Sequence, residues 1–111
     1  MGALTVRMTL RWHIPLARSR SVTQALHSLM VAARGEPGFV SSSMSADLAA
    51  RAGVQYIEEW ASEAHLRRIL ISDHFAQLAA LLDDATDPPS VRFALPAGER
   101  GLDYLDDLHK N

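Results

Sequence analysis

The chain has 111 residues, a formal net charge of −2 and no cysteine, with 48% hydrophobic and 22% charged residues. This length fits one domain with its own core, and the lack of cysteine excludes disulfides, thiolate catalysis and thiolate metal ligands. No basic run indicates a nucleic-acid partner. Since the N-terminal segment is unlike a signal peptide and no apolar run approaches a membrane-spanning length, we expect a cytoplasmic protein that contacts no membrane.

The first two elements are predicted from a change in hydrophobic period. Residues 3–14 alternate between apolar and polar side chains, which predicts a strand with one dry face. Residues 21–34 change to helical spacing, and Ser21 with Gln24 predicts a capping box at the start of this helix. Gly35 is expected to end the helix in a left-handed conformation.

A second and a third strand are predicted next along the chain. Residues 39–46 form the second strand, whose four serines fit an edge strand or, alternatively, a strand kept small to leave space for a ligand. Residues 48–53 are predicted to turn, with a positive φ at Gly53. The third strand, VQYIEEW, carries three large or charged side chains on one face: Tyr56, Glu58 and Trp60.

The remaining elements are a broken helix, a last strand and a tail. Ser62 is expected to cap a helix that starts near Glu63, and Ser72 is expected to cap a second helix at an angle to the first. Residues 91–95 predict a fourth, short strand. Residues 97–111 form a tail that contains an amphipathic segment, LDYLDDLHK.

The element order β-α-β-β-α-β predicts an α+β fold of the ferredoxin-like, split β-α-β type, with a four-stranded antiparallel sheet and helices on one face. The domain is expected to span residues 1–96. The opposite sheet face, where we place Ile57 and Phe93, then lacks cover, which predicts a homodimer with two sheets packed face to face. The tail, residues 97–111, is expected to pack on the dimer partner.

Three short motifs resemble the antibiotic biosynthesis monooxygenase superfamily, whose members are dimeric α+β barrels. They are Glu36, Pro37 and Gly38 before the second strand, Glu58 and Trp60 at the end of the third, and His74 and Phe75 at the start of the last helix. The resemblance covers residues 3–95. It implies a cofactor-independent monooxygenase that acts with O2 on an electron-rich aromatic substrate, a quinol or a polyketide phenol.

The resemblance also bears on cofactors. Haem-degrading relatives carry a histidine ten positions after the tryptophan that ends the third strand, and Leu70 stands there in this chain. These relatives also carry an asparagine on the first strand, whereas the only asparagine here is Asn111. Ile69 occupies a position where many superfamily members have a further histidine. With no flavin, metal or nucleotide motif in the sequence, we expect no cofactor.

The segment from Tyr56 to Phe75 is the candidate active site. His74 is the expected general base, because free N–H groups at a helix start favour a neutral imidazole. Glu58 could accept a proton if it is desolvated in the pocket, and Trp60 could form an aromatic wall against a flat substrate. The residues predicted to bind substrate are Tyr56 and Phe75.

Each of these residues also has a structural interpretation, as a core aromatic, an ion-pair partner or a histidine bonded to a backbone carbonyl. The other histidines are scattered, with no pair at i, i+4, so no metal site is predicted. A non-catalytic protein of the same fold, which binds a small molecule or acts as a dimeric scaffold, is the alternative to an enzyme. The active-site hypothesis requires that His74 meets the strand face that carries Glu58.

Overall fold

A computed structural model of the chain describes residues 5–47 and 52–109. Five strands form one antiparallel sheet in the order β2-β3-β1-β4-β5: β1 (Val6–Ile14), β2 (Phe39–Asp47), β3 (Ala52–Trp60), β4 (Ser90–Leu95) and β5 (Gly98–Arg100). Four helices accompany them: α1 (Ser19–Ala33), α2 (Glu63–Leu70), α3 (Asp73–Leu82) and α4 (Leu102–His109). Residues 48–51 of the turn predicted over 48–53, and the last two residues of the predicted tail, lie outside the described residues.

The ferredoxin-like α+β arrangement is confirmed, but the sheet has five strands where the sequence predicted four. The additional strand, β5, pairs with β4 through a hairpin in which Leu95 lies opposite Gly98. Gly98 has a φ of 128°, a conformation that glycine adopts without steric cost. Because β5 has only three residues, it shows no alternation by which the sequence could have revealed it.

The helices cover one face of the sheet and bury the dry face of β1 completely. Alternate residues of this strand, from Val6 to Ile14, join side chains of α1, α2 and α3 in a single hydrophobic core. Phe93 on β4 lies opposite Met8 and is fully buried in the same core. The expectation that Phe93 faces away from the helices is therefore wrong, because the register with β1 places it on the helix side.

The other sheet face is polar, and none of the described helices covers it. Ile57 lies there opposite Thr9, as predicted, and is half-buried among neighbouring strands. Its neighbours on β1 and β3 include Arg7 and Glu59, whose side chains form an ion pair at 3.6 Å. We use the name open face for the polar side of the sheet, which is formed by Thr5, Arg7, Thr9, Arg11, His13, Gln55, Ile57, Glu59 and Arg92.

Helix α1 begins earlier than the sequence predicted. A 3-10 turn at Leu16–Arg18 leads directly into the helix, and Ser21 donates its hydroxyl to the carbonyl of Arg18 at 3.0 Å. Ser21 thus lies within the first turn, and the predicted capping box is not formed. The helix also ends without the left-handed glycine expected at Gly35, since the nearest positive φ belongs to Gly38.

The structure explains why the motif before β2 has a glycine, Gly38, at its third position. Its φ is 83°, and a Cβ atom at this position would lie 2.2 Å from Cγ of His65. Only glycine fits both the conformation and the space. Gly53, in contrast, lies within β3 and has no positive φ, so the predicted turn residue is part of a regular strand.

A serine precedes each of the helices α2 and α3. Ser62 caps α2 as predicted, because its hydroxyl oxygen accepts from the backbone N–H of His65 at 3.2 Å. Ser72 stands at the N-cap position of α3 but donates its hydroxyl back to the carbonyl of Ile69 at 2.6 Å. Only two residues separate the end of α2 from the start of α3. The first turn of α3 faces the sheet, where His74 meets Glu58.

Helix α4 packs on its own chain. The ring of Tyr104 is buried against Phe93, with ring centroids 5.1 Å apart, and its hydroxyl donates to Glu63 at 2.7 Å. Burial, and then the hydrogen bond to Glu63, raise the pKa of Tyr104 above its ordinary value. Packing of the tail on a second copy stays a prediction.

Candidate functional site

The candidate site is centred on Glu58, which is fully buried on the helix side of β3. Alternation along the strand places Tyr56 and Trp60 on the same side, and both are fully buried. The first turn of α3 reaches this face from above and brings His74 to Glu58. The orientation required by the active-site hypothesis is therefore present: the three strand residues face the helices.

Three side chains direct hydrogen bonds at the carboxylate of Glu58. The indole Nε1–H of Trp60 donates to Oε1 at 3.2 Å, and the hydroxyl of Tyr56 donates to Oε2. Nε2 of His74 lies 2.6 Å from the same Oε2. A buried carboxylate needs such partners, because removing an ion from water is costly unless it is paired and hydrogen-bonded.

The donors determine where the protons lie. An indole N–H can only donate, and burial together with the negative charge of Glu58 raises the pKa of Tyr56 far above its ordinary value. Tyr56 therefore keeps its proton and donates it. With two donors already directed at the carboxylate, the consistent assignment is that Nε2 of His74 carries a proton toward Oε2. In the neutral ring, Nδ1 is then an acceptor.

Nδ1 is the one polar atom of this cluster that is free to meet a ligand. It makes no hydrogen bond with the described part of the chain. Within that part, the only buried side-chain nitrogen or oxygen without a partner is Nε1 of Trp12, so Nδ1 of His74 reaches solvent. His74 is 8% exposed, whereas Tyr56 and Glu58 are closed off.

His74 opens onto a groove between α1 and α3 with a volume of about 450 Å³. This volume falls within the range of about 300–1,000 Å³ that is usual for small-molecule sites. Most of the wall is apolar or small, with polar groups at a few positions. The groove is lined by Ala25, Ser28, Leu29, Ala32, Glu36, His74, Gln77, Ala80 and Leu81.

The structure thus joins four of the five predicted site residues in one buried, hydrogen-bonded cluster: Tyr56, Glu58, Trp60 and His74. Of these four, only His74 lines the groove. Trp60 is fully buried and packs edge-on against Phe39, with ring centroids 5.7 Å apart, so no face of its ring is open to a flat molecule. Phe75 is buried in the core and does not line the groove.

Other residues of the groove were missed in the sequence. Gln77 stands three positions after His74, a spacing that places both on one side of α3, and this signal could have identified it. Glu36 was noted only as part of a motif before β2. Ser28 and the alanines of α1 could not have been identified from the sequence, because small residues on a helix are as common at packed positions as at the wall of a groove.

A second concavity, of about 610 Å³, lies toward one end of the open face. Its lining includes Arg11, His13 and Gln55, and His13 pairs there with Asp87 at 3.4 Å. None of its ionisable residues is buried. We therefore regard the groove beside His74 as the stronger candidate for chemistry.

Two further classes of site have no counterpart in residues 5–47 and 52–109. No three histidine, aspartate or glutamate side chains in this part of the chain come together in a way that could hold a metal ion. No helix in the same ranges is long and apolar enough to cross a membrane.

Comparison with known proteins gives matches among solved structures. No family model and no curated sequence matches the chain. A conserved protein from Methanosarcina mazei matches with a TM-score of 0.73 at 18% identity, over 84% of this chain and 93% of that one. A protein from Nitrosomonas europaea, provisionally named an antibiotic biosynthesis monooxygenase, matches with a TM-score of 0.70 at 10% identity, over 84% and 89% of the two chains.

A third structure, named antibiotic biosynthesis monooxygenase, matches with a TM-score of 0.68 at 18% identity, over 79% of this chain and 94% of that one. At these identities the likeness shows the fold. The molecule is an α+β protein with a ferredoxin-like antiparallel sheet and helices on one side. This fold is shared with solved structures that are named antibiotic biosynthesis monooxygenases, and at the level of the fold this confirms the resemblance seen in the sequence.

Proposed function

We propose that the chain is a cofactor-independent monooxygenase that acts with O2 on an electron-rich aromatic hydroxyl compound, a quinol or a polyketide phenol. The observation that carries the proposal is the buried carboxylate behind His74, which leaves Nδ1 as an acceptor beside a groove of small-molecule size. The names of the structural neighbours agree with this reaction class.

The first step is removal of a proton from the substrate hydroxyl by Nδ1 of His74. The imidazolium that forms lies 2.6 Å from Glu58, whose negative charge stabilises it. Glu58 is in turn held by Tyr56 and Trp60, so the base is fixed in one tautomer and one orientation.

The phenolate can then reduce O2 itself. An electron passes to O2, and a carbon–oxygen bond forms at an unsubstituted ring carbon, para to the hydroxyl in a phenol with a free para position and ortho to it in a quinol. The hydrogen on that carbon is lost as a proton. Cleavage of the O–O bond releases the second oxygen atom as water, which takes up this proton and the one that His74 had taken. One phenol and one O2 thus give one quinone and one water, so the balance needs no external reductant.

A homodimer belongs to the same proposal. No helix in the described part of the chain covers the polar open face, and Ile57 is an apolar side chain on it. Arg7 and Glu59 on this face carry opposite charges, which suits self-association about a two-fold axis. A second copy packed on the open face would leave the groove free, since the groove lies on the helix side.

The test is oxygen uptake with 1-naphthol, whose para carbon is unsubstituted, together with the absorbance of the quinone formed. We expect equal amounts of O2 consumed and quinone formed by the wild-type protein. His74→Gln, checked for folding by circular dichroism, should lower the rate by about 10²–10⁴-fold, the usual contribution of a general base. His27→Gln is the matched control, because His27 is exposed on α1 and lies outside the groove.

Glu58→Gln extends the test to the group behind the base. The amide keeps the side-chain size but removes the charge that faces the imidazolium, so we expect a loss of rate in the same range. Full activity in a folded His74→Gln protein would remove His74 as the base. If no phenol or quinol is turned over while an aromatic ligand still binds, the protein is a binding module of this fold.

A further inference from the structure

The groove beside His74 contains a second ionisable side chain that the proposed reaction does not use, Glu36. The backbone of Glu36 is fixed in the turn after α1, because its N–H donates to Ala33 at 3.0 Å and its carbonyl accepts from Phe39 at 3.2 Å. Its side chain lines the groove and is half-buried. Its carboxylate makes no hydrogen bond or ion pair with the described part of the chain.

The charge around this carboxylate is one-sided. No lysine or arginine is among the described residues that line the groove. Glu58 adds a second carboxylate behind His74, at 2.6 Å from its ring. The other polar side chains, Ser28 and Gln77, are neutral and can either donate or accept. The groove therefore attracts cations and hydrogen-bond donors and repels anions.

We propose that Glu36 selects the ligand of this groove by charge. The site takes a phenol whose far end carries a hydroxyl or an ammonium group, which donates to Glu36 while the phenolic O–H meets Nδ1 of His74. It rejects a phenol of the same size whose far end is a carboxylate. This inference rests on the proposed function only for the end of the ligand that lies at His74.

The test uses three phenols of nearly equal size that differ at the far end: tyramine, tyrosol and 4-hydroxyphenylacetate, which carry an ammonium, a hydroxyl and a carboxylate. Their affinities are measured by calorimetry without oxygen, so the proposed reaction cannot consume them. For the wild-type protein we expect tyrosol and tyramine to bind at least about tenfold more tightly than 4-hydroxyphenylacetate, because like charges in a partly desolvated site repel.

Glu36→Gln removes the charge and keeps the shape. In this variant the preference over 4-hydroxyphenylacetate should fall to about twofold or less. Glu99→Gln is the control, because it removes the same charge from an exposed site on β5 outside the groove, and it should keep the full preference. Circular dichroism of each variant confirms that the fold is retained.

Three results would overturn the inference: equal binding of tyrosol and 4-hydroxyphenylacetate by the wild type, an unchanged preference in Glu36→Gln, or no binding of any probe at millimolar concentration. Its failure is distinct from that of the proposed function. Charge selection without turnover of 1-naphthol leaves this inference standing and removes the oxygenase. Turnover without charge selection does the reverse.

Discussion

Glu58 and Glu59 are neighbours on β3, and the sheet separates them into two different regions. Glu58 faces the helices, is fully buried and receives hydrogen bonds from Tyr56 and Trp60. Glu59 faces the open side, where its partners are Arg7 and the hydroxyls of Ser41 and Thr5. The Arg7 side chain is 53% exposed in this pair, so water screens much of the attraction.

The difference shows that Glu58, and not Glu59, places demands on the surrounding structure. A surface glutamate is tolerated almost anywhere, whereas a buried one requires a set of donors that must all be in place. An apolar residue at position 58 would fill the same space without that requirement. In the single chain, Glu59 is therefore an ordinary surface residue, whereas the helix side carries a polar cluster whose presence suggests a function beyond folding.

The largest expected effect is on stability when each glutamate is removed. Glu58→Ala leaves the indole of Trp60, the hydroxyl of Tyr56 and the ring of His74 without their common acceptor. We expect the free energy of unfolding to fall by about 3–5 kcal/mol, the usual loss when a buried pair is broken. Urea unfolding followed by circular dichroism measures this loss.

Glu59→Ala is the matched control in the same strand. Its partners are partly exposed in the single chain, so the free energy of unfolding should change by less than about 1 kcal/mol when it is measured at a protein concentration low enough to keep the chains apart. Similar losses in the two variants would mean that burial does not distinguish the two faces, and the comparison would fail.

The second prediction concerns assembly through the open face. We expect a homodimer, with a mass by light scattering of twice the 12.2 kDa of the chain. Ile57→Glu places a charge on this face and should weaken dimerisation by about tenfold or more, since an unpaired charge in an interface is costly. Val31→Glu, on the exposed side of α1, introduces the same change elsewhere and should leave the dimer intact.

A protein that stays at the mass of one chain at micromolar concentration would contradict the dimer. A dimer that persists in Ile57→Glu but dissociates in Val31→Glu would move the interface from the open face to the helices.

The smallest expected effect is a pH dependence of the free energy of unfolding that arises from Tyr56, on the helix side of the sheet. The pKa of Tyr56 is raised by burial and then by Glu58, so the folded protein keeps the proton that the unfolded chain releases near its ordinary pKa of about 10. The stabilising contribution is complete below that pH and is lost as pH rises above it. Between about pH 9 and about pH 11 the wild type should lose about 1.4 kcal/mol more than Tyr56→Phe.

Tyr104→Phe provides the comparison, measured in the same urea series. The pKa of Tyr104 is raised by burial and by Glu63, but Arg67 opposes the shift, so removal of Tyr104 should change the alkaline slope less. Equal slopes in the wild type and Tyr56→Phe would show that Tyr56 is not held in its protonated form.

Much of this cluster could be predicted from the sequence because it depends on local periodicity. Alternation along β3 is enough to place Tyr56, Glu58 and Trp60 on one face. The serine before α3 is enough to place His74 in a first helical turn. Which sheet face the helices cover was not determined, since Phe93 and its neighbours fit either side until the register with β1 is known.

The groove could not be predicted, because it depends on how α1 and α3 lie against each other. Glu36 and His74 are far apart in the chain and meet only through that packing. The error in the predicted start of α1 also arises from a neighbouring segment. Ser21 has the residue type of a helix cap, but the preceding 3-10 turn starts the helix before it, and sequence signals of helix starts do not show which of two neighbouring candidates prevails.

The two tryptophans of the chain give the protein a built-in optical reporter. The indole nitrogen of Trp12 is buried without a hydrogen bond, whereas that of Trp60 donates to Glu58 within a cluster that contains an imidazole. Fluorescence of a Trp12→Phe protein therefore isolates Trp60, whose indole is bonded to Glu58, so its emission reports on the hydrogen-bonded cluster with no added dye.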